Sequence, residues 1–457
     1  MSRSFAGSLV GRITDTTELF WNSRYYFPVM LAAAAVSLLS GNIIPSTVAL
    51  AILCGWMLVF CRDSLAASLP FLLIFLLSTL KYDSLSVFLP CAPLAVLPIG
   101  GLLVHFLRWR TPLTVGRSGP GLAAVSIATL LGGLGTISAE EYFSPLSLYY
   151  TLGLGLGLLA SYLLLRSDLA APRPYDLLQR LMGILYTLGL TMVLAIARFY
   201  YSNWAAFSQN WEIPPILFRN FAATILVSTL PAAFYMARRK RRHLAGVLLW
   251  ALTLFFTGSR TALVFGSAIL LLGMLYLVRW KRLPLWFFFA VLAAAAAVGL
   301  LFGREIYELF FGCRQELDSF IDPNEARWTL LARGRDDFLQ HPLFGIGLGN
   351  QKNHDIFSGV AGSMVFYHNS LLQVLGSMGL VGLAAYGLLL WERIQLLRRG
   401  GEAAQTAGMF YLGMLLVSLT NPGLFCPLPS AMLTALVFAV LERYMDDPVL
   451  LRSRTIR

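Results

Sequence analysis

Residues 285–303 read LWFFFAVLAAAAAVGLLFG, nineteen residues without a charge between Lys281-Arg282 and Arg304. A bilayer core takes about 20 apolar residues as one helix. In lipid only helices and closed barrels satisfy their own backbone. The run is continuous and does not alternate, so it reads as a helix. Comparable runs lie near 25–41, 43–60, 64–80, 84–107, 120–137, 144–165, 178–201, 219–237, 244–258, 260–278, 368–391, 404–420 and 428–441. Several are short, and 244–278 reads equally as one broken element, so the expectation is an all-α polytopic membrane protein of about 12–14 spans.

Composition agrees with that solvent. Of 457 residues 57% are hydrophobic and 13% charged, against roughly 25% charged in soluble domains. Mean hydropathy is +0.70. A soluble core could not hide so much apolar surface. The net charge of +12 does not indicate a nucleic-acid partner, because the basic residues sit mostly in short loops between apolar runs. That pattern reports topology.

Arg238, Arg239, Lys240, Arg241 and Arg242 form the strongest basic cluster and read as cytoplasmic. With fourteen spans, Arg108/Arg110/Arg117, Arg166/Arg173/Arg180, Arg279/Lys281/Arg282 and Arg393/Arg398/Arg399 fall on the same side, as do both termini. The opposite side receives Glu140/Glu141, the aromatic-rich 202–218 segment and the longest polar stretch. The expected order is a cytoplasmic segment over 1–24, spans within 25–303, an extracytoplasmic loop over 304–367, spans within 368–441 and a cytoplasmic tail over 442–457. The cytoplasmic (inner) membrane is the expected location, and no cleaved signal peptide is expected.

Inside the loop, Asp322-Pro323-Asn324-Glu325 reads as a helix start, with Asp as N-cap, Pro at N1 and Glu at N3. Trp328, Leu331 and Phe338 follow near helical spacing, so a helix is expected near 323–340. It should stop at His341-Pro342, since the residue before proline avoids the α region. Gly345 to Asn350 is turn-rich. Gly153, Gly155 and Gly157 form a small-residue stripe suited to close helix packing.

The five cysteines, Cys54, Cys61, Cys91, Cys313 and Cys426, show no CxxC. The first three read as packing residues; a Cys313–Cys426 bridge stays open, both lying on one side. His341, His354, Asp355 and His368 fit no helical ligand pair, so no metal and no cofactor is expected.

Three places could carry chemistry. Gly258-Ser259-Arg260-Thr261 interrupts two apolar runs, where an arginine either snorkels to headgroups or lines a cavity. Arg327 lies near the start of the loop helix, with Arg333 and Arg335 as competitors. His368 stands where the loop enters an apolar helix, and a helix N-terminus disfavours imidazolium, which would help keep a base neutral.

The order of these pieces resembles the O-antigen ligase and polymerase family of Wzy-C type membrane glycosyltransferases. The resemblance rests on Gly258-Ser259-Arg260, on His341 to Asn350 (HPLFGIGLGN), and on His368 to Gln373 (HNSLLQ) opening a helix with Gly376, Gly379 and Gly382. It covers about 255–385 by motif, and the first half matches no motif. It implies a donor glycan on a polyprenyl diphosphate (undecaprenyl diphosphate as carrier), an acceptor on a glycan, lipid or protein, and metal-independent transfer with inversion. It implies that Arg260 and Arg327 grip the diphosphate and that His368 is the base, supported by Ser259, Asn369, Gly345 and Gly347. The rival expectation is a polytopic transporter or lipid-linked glycan flippase. Transporters tend to show paired broken helices; the sequence offers one break and no repeat.

Overall fold

The computed structural model describes residues 2–40, 43–80, 93–110, 112–138, 150–171, 173, 175–210, 218–311, 323–348, 366–421, 423 and 428–446. Among them the protein is helical without strands. The helices are α1 (Ser2–Asn22), α2 (Tyr26–Ser40), α3 (Ile43–Phe60), α4 (Leu65–Thr79), α5 (Val96–Trp109), α6 (Gly119–Ser138) and α7 (Tyr150–Leu169). They continue as α8 (Leu177–Ser202), α9 (Trp204–Asn210), α10 (Arg219–Arg239), α11 (Leu244–Phe256), α12 (Arg260–Arg279) and α13 (Leu285–Phe311). The last four are α14 (Pro323–Gln340), α15 (Ser370–Arg398), α16 (Gly401–Val417) and α17 (Leu428–Asp446). Outside the described residues lie Cys91, Cys313 and Cys426, Glu140/Glu141, Asp322, His354 and Asp355, Gly349-Asn350 and the tail from 447. Cys54 and Cys61 are buried free thiols.

Two helices show why the solvent must be lipid. α10 is buried on every face from Phe221 to Tyr235, and α8, α11, α12 and α16 pack around it. Its hydroxyls are satisfied internally: Thr224 donates to Asn220 O at 2.9 Å and Thr229 to Ile225 O at 2.7 Å. A helix without a polar face belongs in a core or a membrane. α13 is more apolar still, yet none of its apolar stretch is buried. It packs on α12 and leaves Trp286, Phe289, Leu300 and Leu301 exposed. An uncovered apolar helix is stable only where the surroundings are themselves apolar. Among the described residues six helices are long and apolar enough to cross a bilayer, and five shorter helices are apolar too. The fold is that of a polytopic all-α membrane protein.

The helix ends sort into two groups. At one end, Arg238 near the close of α10 pairs with Glu402 at the start of α16 and approaches Tyr276 near the close of α12. Arg239 meets Asp176, the N-cap of α8, at 3.1 Å. This is the basic end. The starts of α10, α12 and α15 and the close of α16 meet at the other end.

Four local features go beyond the sequence reading. Residues 2–22 form a helix, α1, ahead of the first apolar run. The glycines at 153–157 form a π-helical turn within α7. α13 runs past 303 to Phe311, with a kink at Phe302. On α14 the buried stripe is Ala326, Leu330, Gly334 and Asp337, whereas Trp328 is 73% exposed. The small and acidic face turns inward there because Asp337 has a buried partner on the adjoining segment.

Candidate functional site

α15 is not one continuous helix. It breaks at Gly379, whose φ of 61° and ψ of −153° lie outside helical space. A break there removes two bonds of the i→i−4 ladder, those from Leu380 N–H to Gly376 O and from Val381 N–H to Ser377 O. Residues 342–347 replace both. Pro342 O accepts from Leu380 N–H at 2.8 Å and Leu343 O from Val381 N–H at 3.2 Å. Ile346 N–H donates to Gly376 O and Gly347 N–H to Ser377 O, each at 2.9 Å. Irregular backbone within a membrane fold is tolerated when other protein groups satisfy it, and here the loop does so bond for bond. Gly345 makes the approach possible: its φ is +67°, and a Cβ would stand 2.3 Å from the Ser377 carbonyl carbon. From the N-terminal half, α6 closes the same place, with Gly132 seated against Ser377 O.

At the start of α15 the backbone is strained. His368 has a φ of 54°, in the left-handed region that non-glycine residues seldom enter. Bonds on both sides hold it there. Tyr367 N–H donates to Gln373 Oε1 at 3.0 Å, and Gln373 Nε2 donates to Ser377 Oγ at 3.0 Å. Asn369 is the N-cap, its Oδ1 accepting from Leu371 N–H at 3.0 Å and Leu372 N–H at 3.1 Å. The Tyr367 hydroxyl donates to Asp337 Oδ2 at 2.6 Å, and both side chains are buried. This bond ties α14 to the segment carrying His368. Strain of this kind persists only where the surroundings over-determine it.

The Ser-Arg break is organised similarly. α11 ends at Phe256, and Gly258 with φ +66° turns the chain into α12. The Thr257 hydroxyl donates to Leu254 O and accepts from Ser259 N–H. Ser259 is buried, and its hydroxyl donates to Asn220 Oδ1 at 3.3 Å, joining the starts of α12 and α10. Arg260 is the first residue of α12 and is half-buried.

One turn, residues 418–421 at the close of α16, joins these pieces. Thr420 Oγ1 lies 2.8 Å from Thr261 Oγ1. Ser418 O accepts from Ser370 N–H at 2.9 Å, and Leu419 O from Asn369 Nδ2 at 3.1 Å. Asn421 Oδ1 lies 3.3 Å from His368 Nδ1. The structure therefore brings Ser259, Arg260, His368 and Asn369 into one neighbourhood. Arg327, half-buried on α14 beside Ala326 and Leu330, belongs to the helix whose link runs through Asp337 and Tyr367. Gly345 and Gly347 lie in the loop 342–347, which packs into the break further along α15.

Sequence reasoning missed Asp337, Tyr367, Thr420 and Asn421, and took Gly379 as part of an unbroken helix. Asn421-Pro422 was the available signal, since Asn-Pro marks turns where an apolar run closes. Nothing in the sequence alone announces the Asp337–Tyr367 bond.

The chemistry such an arrangement offers is anion recognition beside a base: three helices begin together, and each N-terminus carries positive partial charge. The apolar helices around it place this junction in a membrane-embedded protein. Residues 245–387 match the family model described as O-antigen ligase, a segment running from α11 into the second half of α15. The match supports an O-antigen ligase-type family for the chain, and with it a glycan-transferring enzyme. No curated protein matches the chain.

Proposed function

We propose that the protein is a metal-independent, inverting glycosyltransferase that moves a glycan from a polyprenyl diphosphate to an acceptor hydroxyl at the outer face of the cytoplasmic membrane. Both termini lie in the cytoplasm. The observation that carries this reading is the shared neighbourhood of Arg260 and His368, at the meeting of three helix starts and away from the basic end. The acceptor is a lipid core, a polymer or a protein in a ligase, and another carrier-linked repeat in a polymerase.

In the reaction the acceptor oxygen bonds to the anomeric carbon as the bond from that carbon to the phosphate oxygen breaks. The leaving diphosphate keeps the electron pair, and His368 takes the acceptor proton. A diphosphate is already a good leaving group, so the demand is for charge stabilisation. Arg260 and Arg327 meet it with forked donors that stay charged. The starts of α10, α12 and α15 add oriented backbone dipoles. Ser259 and Asn369 hold the two turns, and Gly345 and Gly347 hold the break in α15.

The break at Gly379 is a second interruption beside the one at 257–259, the pairing that transporters tend to show. In α15, however, residues 342–347 take the four freed backbone groups, leaving them none to offer a passing ion. This favours an enzyme.

The test supplies a polyprenyl-diphosphate-linked oligosaccharide to the protein in nanodiscs, with and without candidate acceptors and EDTA. Release of free polyprenyl diphosphate that survives EDTA and disappears in His368→Ala is expected. Release that persists unchanged in a folded His368→Ala protein would remove the base from the mechanism.

A further inference from the structure

The turn that gathers the site lies beyond the matched segment, after α16, and ends in Asn421. Asn421 is 7% exposed. Its Oδ1 faces Nδ1 of His368 at 3.3 Å. As an acceptor, that oxygen requires the ring proton on Nδ1, which leaves the Nε2 lone pair to take a proton. A base oriented by a third group is a recurring arrangement in proton transfer. Asn421's own position is fixed: its N–H bonds to Val417 O at 3.0 Å, and its carbonyl accepts from the Ser370 hydroxyl at 3.4 Å. Its amide nitrogen is buried and has no hydrogen-bond partner among the described residues. A buried donor of this kind calls for an oxygen to receive its proton.

We infer that Asn421 is a positioning residue for His368. It fixes the imidazole in the Nδ1–H tautomer and turns Nε2 toward the acceptor hydroxyl, while its amide nitrogen offers a hydrogen bond to a substrate oxygen beside that hydroxyl. This rests on His368 acting as the base. The charged residues near this junction are Arg219 at the start of α10, Arg260 at the start of α12 and, on α14, Glu325, Arg327, Arg333, Arg335, Asp336 and Asp337. All stay in place in the variants below.

The experiment uses the full chain with a polyprenyl-diphosphate-linked oligosaccharide as probe and compares His368→Ala, Asn421→Leu and Asn421→Asp. Asn421→Leu should lower kcat at least about tenfold, a part of the 10²–10⁴ that a positioned base contributes, with donor KM little changed. Asn421→Asp restores the acceptor oxygen and should recover much of that loss. A carboxylate beside the ring favours imidazolium, so the acid limb of the kcat profile should move up by about one pH unit. Histidine C2-hydrogen exchange, read by mass spectrometry, should show the same upward movement for His368 without substrate. If His368→Ala abolishes transfer while Asn421→Leu turns over normally, the inference falls and the base stands. If His368→Ala transfers normally, both fall. Loss of kcat in Asn421→Leu with no shift of His368 titration in Asn421→Asp also overturns it, because a purely structural role predicts that. Should Asn421→Leu fail to fold, Asn421→Asp and the exchange measurement decide.

Discussion

At the basic end, the amides just before and within the first turn of α6 meet the protein's own carboxylates. Glu442, fully buried, accepts from Arg117 N–H at 3.0 Å, Ser118 N–H at 2.9 Å and the Tyr162 hydroxyl at 2.7 Å. Glu392 accepts from Gly121 N–H, and Arg166 pairs with Glu442 and Asp446. Deeper in the N-terminal half, Arg173 sits between Asp63 and Asp168. The opposite end has equivalent helix starts and a different answer. Its three turns, 257–261, 366–370 and 418–423, contain no aspartate or glutamate. They carry Arg260 and His368 and are held by hydroxyls, amides and backbone. A helix N-terminus favours an anion. One end supplies that anion from its own side chains, and the other presents the same dipole with none in its turns. The diphosphate would complete it.

This contrast breaks if variants at the two ends behave alike. His368→Ala should give the largest effect, a fall in transfer of about 10²–10⁴, with thermal stability little changed. Glu442→Ala should do the reverse. Removing one partner of a buried pair costs about 3–5 kcal/mol, read as a lower unfolding midpoint in detergent, while the folded fraction transfers at the normal rate. Arg260→Ala follows with a loss of about 10²–10³ in kcat, by analogy with removal of one preorganised donor. Arg260→Lys should recover part of it, since a point charge lacks the forked donors. An Arg260→Ala protein with full kcat would show that the junction does not use this charge.

Much of the fold was legible because lipid leaves few options. Apolar runs of helical length must be helices. The Ser-Arg break was legible because Gly258-Ser259 interrupts a run with residues that allow irregular backbone. The break at Gly379 was not, because its rescuers, Pro342 to Gly347, lie more than thirty residues earlier in the chain. A single glycine in an apolar helix looks the same whether the ladder continues or not. The inward face of α14 was not legible for a related reason. Trp328 and Phe338 are the larger apolar residues, but the buried Asp337–Tyr367 bond sets the rotation of that helix. Pairings across long chain separations carry no local pattern.

The smallest effect sharpens the comparison from the basic end. Asp63, between α3 and α4, has its carboxyl pushed up to about 6, mainly by burial and also by Asp168, against the pull of Arg173. An ordinary aspartate sits near 3.9. The folded protein therefore holds this proton more tightly than the unfolded chain. Its contribution favours folding most below the ordinary value, weakens as pH rises through about 6, and is flat above that. Asp63→Asn cannot titrate. The wild-type unfolding midpoint should thus fall relative to that of Asp63→Asn between about pH 4 and pH 6, by a few degrees, and run parallel at higher pH. Arg260→Ala and His368→Ala should leave this dependence as in the wild type, because their turns hold no carboxylate. Parallel curves for wild type and Asp63→Asn across the whole range would mean that Arg173 cancels the cost of burial, and that the basic end is balanced as well as paired.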